Sequence, residues 1–181
     1  MYWPTKGAHN TGETVKLALQ RARELNLKHL VVASNTGATA EKFLGNNLEV
    51  VCVTHHAGYA GPGIDEMESE VRQRLQEQGL KILTTTHLLA GVDRSLRAKF
   101  KGIYPAEIIA MSLRMLGQGL KVCVEISVMA LDAGLIPYGE EIVAVGGTAR
   151  GADTACIIVP DHSSAFFNTV VKEIICMPRE K

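Results

Sequence analysis

The stretch that decides the fold is Val31–Ala40, "VVASNTGATA". A run of β-branched residues stops at Ser34. Asn35, Thr36, Gly37, Ala38 and Thr39 follow, small and rich in hydroxyls, and then a helix-forming segment begins. A buried strand that runs into such a loop and then a helix is the repeating unit of an α/β sheet. Two readings of the loop stand side by side. In one, its hydroxyls cap the next helix, as in an ordinary strand-to-helix connection. In the other, free N–H groups and hydroxyls at a strand's carboxyl end cradle an anion, with phosphate the natural case. The G-x-x-x-x-G-K-[ST] pattern of a Walker loop is absent.

Working outward, the same alternation recurs. Upstream, residues 10–25 read as a helix, with Asn10 as its N-cap, Glu13 as capping-box partner and Val15, Leu19, Ala22 and Leu25 as one apolar stripe. Downstream come a buried strand over 48–55, a Gly-rich loop over 56–64, and a helix over 65–78 that starts at Asp65 and stops at Gly79. A third strand spans 80–86. Residues 87–102 fit no single element and carry a basic cluster. A helix follows from Pro105 to Leu116, where Pro suits the first turn. "LKVCVEISVMALDAG", 120–134, starts like a strand, but Val122, Ile126, Met129, Ala130 and Ala133 repeat at helical spacing, so it is read as a helix. Three strands end the chain, at 140–147, 154–160 and 170–178. No composition break divides it, so residues 1–181 are expected to form a single α/β domain, a three-layer α/β/α sandwich with a mainly parallel sheet and antiparallel pairing near the C-terminus.

Nineteen basic residues balance nineteen acidic ones. That neutrality gives no support to a nucleic-acid or membrane-surface partner. No apolar run is long enough to span a bilayer, and the N-terminus lacks an apolar signal core, so a cytoplasmic protein is expected. The four cysteines sit singly in apolar stretches, as buried reduced thiols do, and no metal site is expected from their spacing.

A second loop, "VGGTARGADTA" at 145–155, joins two apolar runs. Gly146, Gly147 and Gly151 permit close backbone approach. Arg150 suits phosphate, and Asp153 can accept from sugar hydroxyls or from loop amides. A plain Gly-rich turn with a solvated Arg is the competing reading. Thr54, His55 and His87 close the second and third strands at the same sheet edge, where they can border a ligand or move protons. His56 has no evident task. Glu125 falls beside the apolar stripe of its helix; it is either at the stripe's edge or buried, and if buried it is the strongest acid/base candidate, with His55 and His87 as the others. From the basic cluster, Arg94 is the member nearest a strand end.

"VVASNTGATAEKF" and "NNLEVVCVTHH", followed by "EEIVAVGGTARGADTACIIV", resemble the C-terminal α/β domain of pyruvate kinase. There, two such loops hold the phosphates of a sugar bisphosphate effector. The resemblance covers most of residues 10–160 in element order and is specific at the two loops. It implies that Ser34, Asn35, Thr36, Gly37, Ala38 and Thr39 form a phosphate loop, and that Gly146, Gly147, Arg150 and Gly151 form the second ligand loop. The barrel that carries pyruvate kinase chemistry has no counterpart in these residues, and 55–102 departs from the kinase pattern. The whole chain also resembles small stand-alone archaeal-type proteins of that fold, a resemblance that implies flavin mononucleotide (FMN) as cofactor. The expected partner is therefore a phosphorylated small molecule. An enzyme acting on such a molecule and a regulatory module remain alternatives, and a homo-oligomer is compatible with either.

Overall fold

The computed structural model describes residues 1–180. Seven strands form one sheet: β1 (Tyr2–Trp3), β2 (His29–Ala33), β3 (Glu49–Val53), β4 (Lys81–Leu83), β5 (Ile142–Gly146), β6 (Thr154–Val159) and β7 (Val170–Pro178). Their order is β1-β7-β6-β5-β2-β3-β4. Strands β5, β2, β3 and β4 pair in parallel, while β6 runs antiparallel to both β5 and β7. Five helices accompany them: α1 (Thr11–Glu24), α2 (Ser69–Glu77), α3 (Gly91–Phe100), α4 (Pro105–Arg114) and α5 (Gln118–Asp132).

The period-2 geometry of the strands splits their side chains between two cores. Leu30, Val32, Val50, Cys52, Val143 and Val145 pack with Ala18 and Ala22 of α1, Phe43, and Leu75 of α2. Val31, Val51, Ala144, Cys156 and Ile158 face the other way, against Cys123, Ile126 and Ala130 of α5. The result is the expected three-layer α/β/α arrangement. All four cysteines are buried and free, and burial pushes the Cys52 thiol up to about 12.

Helical period prevails over strand propensity in 118–132. Because α5 is enclosed on nearly every side, its apolar residues need not keep to one stripe. Several local expectations are corrected. Asn10 makes no capping bond to α1; its amide donates instead to the Thr5 carbonyl. Asp65 stands four residues before α2, which starts only at Ser69. Asp65 accepts from the Met67 N–H and pairs with Arg72, while Arg74 pairs with Glu41, so both arginines of α2 pair with carboxylates outside the helix. Residues 37–44 contain only a short 3₁₀ turn, Ala40–Phe43. The unassigned 87–102 segment holds α3, and β1, which the sequence pattern did not show, pairs with β7.

Candidate functional site

The chain runs from β2 outward to β3 and β4, then returns to the opposite side of β2 as β5. Between β2 and β5 the connections therefore diverge, and in an open α/β sheet the crevice beyond the strand ends at such a point is where ligands bind. The hydroxyl-rich loop after β2 and the Gly-rich loop after β5 flank that crevice.

In the first loop, the Ser34 hydroxyl accepts from the Thr39 N–H at 3.1 Å, which closes the turn. Among the described residues, the N–H groups of Thr36, Gly37 and Ala38 have no hydrogen-bond partner. Gly37 itself points away from the crevice. Its φ is +85°, and a Cβ there would lie 2.5 Å from Leu75 Cδ1, so glycine is required by the packing of α2 and not by a ligand.

The second loop is braced from behind. Asp153 is fully buried and accepts from the Gly7 N–H (3.0 Å), the Thr148 N–H (3.2 Å) and the Thr154 hydroxyl (2.8 Å). The Trp3 indole N–H donates to the Asp153 carbonyl at 2.7 Å. The Thr11 hydroxyl donates to the Ala8 carbonyl and accepts from the Ala152 N–H. Of the two roles open to Asp153, the structure shows the loop-amide one. Gly151 is pressed against this brace; a Cβ would lie 2.4 Å from Thr11 Oγ1. Gly146 is required by α5, with the Gly119 carbonyl 2.6 Å from its would-be Cβ. The N-terminal segment thus sets the second loop and the start of α1 beside each other.

A cleft of about 1070 Å³ opens over these loops. Ser34, Asn35, Thr36, Ala38, Thr39, Thr54, His55, His87, Arg94, Glu125, Gly147, Arg150 and Gly151 line it; Gly37, His56, Gly146 and Asp153 do not. Thr11 and Gly12 at the start of α1 and Gln118 at the start of α5 line it too, so two helix starts meet the crevice beside the short 3₁₀ turn that carries Lys42. Six cationic side chains contribute (Lys42, Arg94, Arg97, Arg114, Lys121 and Arg150) against three carboxylates, Glu66, Glu107 and Glu125. Those carboxylates are taken up by His55, Arg97 and Lys121 respectively. Lys42, Arg94, Arg114 and Arg150 form no salt bridge among the described residues. A chain of zero net charge therefore concentrates a positive surplus in one cleft.

The far end of the cleft carries rings. His55 stacks on Tyr59 with centroids 3.7 Å apart, and His87 lies 5.3 Å from His55. The Arg94 guanidinium sits 5.7 Å from the centre of the Tyr59 ring. His56 joins this group through Tyr59 and His87 although it does not face the cleft. His55 Nδ1 is 2.6 Å from Glu66 Oε2. The Thr54 hydroxyl is held within the protein, 2.8 Å from the His55 carbonyl and 2.7 Å from the Thr84 hydroxyl.

The floor is apolar, formed by Ala33, Val53, Leu89, Val122, Ile126 and Met129, with one ionic pair set into it. Glu125 and Lys121 are both buried and bonded to each other, and Glu125 Oε1 also accepts from the Leu89 N–H at 2.8 Å. Of the two expectations for Glu125, burial is the one found. Burial pushes the adjacent His87 down to about 4, with Glu125 acting in the opposite direction, so His87 is neutral at pH 7. Lys121, Arg114, Tyr59 and Glu66 were missed by the sequence reading. The one available signal was the i,i+4 spacing of Lys121 and Glu125.

The chain matches the family model of the pyruvate kinase alpha/beta domain over residues 13–158. The brace residues Trp3, Gly7, Ala8 and Thr11 precede that span. Among solved structures, pyruvate kinase from Cryptosporidium parvum is 17% identical, with 84% of this chain and 23% of that chain covered and a TM-score of 0.41. The same enzyme in complex with ADP is 16% identical, with 93% and 24% covered and a TM-score of 0.42. NAD+ synthetase from Burkholderia pseudomallei is 14% identical, with 84% and 69% covered and a TM-score of 0.37. The chain thus spans about a quarter of the length of the pyruvate kinases it matches.

Proposed function

The chain belongs to the pyruvate kinase alpha/beta domain family, and from that premise we propose that its cleft binds a phosphorylated small molecule, with FMN as the ligand to test first. One observation carries the reading: the surplus of cationic side chains in a cleft at the point where the β2 and β5 connections diverge. In this reading the phosphate lies against the free N–H groups of Thr36 and Ala38, with Arg150 and Lys42 beside it. A flat ring covers the apolar floor, and Tyr59, His55 and neutral His87 border its edge. The volume and the mix of an apolar floor with a few polar groups fit a ligand of that size.

The test is titration of the purified protein with FMN, followed by flavin fluorescence. The reading expects saturable binding, weakened about 10- to 100-fold by Arg150→Ala, the range for loss of a charged hydrogen bond. An affinity unchanged by that substitution removes Arg150 from the phosphate site, and no binding removes FMN.

A second reading, an enzyme acting on a phosphorylated metabolite, is favoured by the Lys121–Glu125 pair buried in the cleft floor beside His87. Both Glu125 oxygens are already engaged, which leaves His87 as the more available proton acceptor.

A further inference from the structure

Helices α3 and α4 form one wall of the cleft yet contribute almost nothing to either core. No residue of α3 is buried, and α4 buries only Ala110. The two helices hold to each other: the Ala106 N–H donates to Asp93 Oδ2, and Arg97 pairs with Glu107. Residues with positive φ separate the pair from its surroundings and from each other, at Gly91, at Lys101–Gly102 and at Gly117.

This segment also concentrates exposed apolar side chains. Of fifteen large hydrophobic residues exposed among the described residues, seven lie between 92 and 116: Val92, Phe100, Ile103, Ile108, Met111, Met115 and Leu116, each 55–78% accessible. Five of them follow helical spacing. Ile108, Met111 and Met115 form one stripe, and Val92 and Phe100 share a face of α3 with half-buried Leu96. Amphipathic helices normally turn such a stripe toward a core, and exposed apolar patches beyond a few hundred Å² mark interaction sites.

We infer that this face is where a second copy of the chain docks, and that docking completes the cleft by fixing the α3–α4 wall. The area argues for a second copy. Fully burying such a side chain removes on the order of 100 Å² of apolar surface from water. Met111 also lines the cleft; the other six at the observed exposure carry roughly 400 Å². With the ~65% apolar share of a homodimer interface, that corresponds to roughly 600 Å² per copy, at the lower end of the roughly 600–1,000 Å² each partner gives to a stable interface. A two-fold axis sets the same stripes against each other, so each copy supplies the apolar surface the other needs. The same helices bring Arg94, Arg114 and Met111 into the cleft, so association and anion binding share one element. The link to the cleft rests on the function proposed above; the docking itself does not.

The experiment measures molar mass by light scattering on the full chain at about 100 μM, for wild type and for Ile108→Glu/Met115→Glu. Neither residue lines the cleft, and both are exposed, so circular dichroism should show the same fold. The inference expects a wild-type dimer and a monomeric variant. It also expects about tenfold weaker FMN binding, or weaker binding of inorganic pyrophosphate if FMN does not bind at all. A monomeric wild type overturns the docking face, as does a variant that stays dimeric. A monomeric variant with wild-type ligand affinity overturns the completion of the cleft. If neither probe binds wild type, the function proposed above fails while the mass measurement still decides the dimer.

Discussion

At Gly37 the residue that first suggests a phosphate cradle turns out to serve packing. Its positive φ and the 2.5 Å approach of Leu75 to a would-be Cβ both exclude a side chain. Gly37→Ala is expected to destabilise the fold by about 1–3 kcal/mol, measured by urea denaturation. The sequence places a glycine in the loop but does not show its packing role, because Leu75 is brought to it only by tertiary structure. His87 gives a second residue-scale prediction. Its folded pKa of about 4 lies below its ordinary 6.5 because burial disfavours the imidazolium. Between those values the unfolded chain binds more protons, so stability rises with pH across this window and is lost as pH falls through it. His87→Gln should flatten that part of the stability profile, read from chemical denaturation at pH 4.5 and 7. An unchanged slope would mean that His87 is not held neutral.

The elements divide into those whose sequence pattern matches their final environment and those remade by partners. Strands β2, β3, β5 and β6 were legible because strands buried on both faces read as continuous apolar runs. The start of α2 was misplaced because Asp65, read as the helix start, instead accepts from the Met67 N–H in a turn before the helix and pairs with Arg72 inside it. Helix α5 was legible by period, but its ionic pair was not, since burial of Lys121 and Glu125 depends on the loop at Leu89 closing over them. Removing one partner leaves a buried charge unpaired. Glu125→Ala is expected to cost about 3–5 kcal/mol, while the double variant Lys121→Met/Glu125→Leu should recover most of it. Denaturant unfolding of the two variants tests this, and an equal loss in both would contradict it. The N-terminal brace is likewise a tertiary product. Asp153→Ala strands the Gly7 and Thr148 N–H groups, and a loss of about 3 kcal/mol is expected in the same assay.

For the whole molecule, the neutral total charge pointed away from anionic macromolecules but concealed how the charges are distributed. Lys42, Arg114 and Arg150 come from different elements, far apart in sequence, and converge only because β5 returns to the side of β2 opposite β3. The two loops of the candidate site, with Arg150 and Arg94, were therefore readable from sequence, and their convergence with Lys42 and Arg114 was not. That convergence makes a phosphate-bearing ligand the central claim. Its most direct test is calorimetric titration of the protein with FMN and with riboflavin, which share a ring system and differ in the phosphate, at 50 mM and 300 mM salt. FMN binding that weakens at the higher salt, with riboflavin at least 100-fold weaker, is the predicted result. Equal affinity for the two, or FMN binding indifferent to salt, would contradict a phosphate site at the β2–β5 crevice.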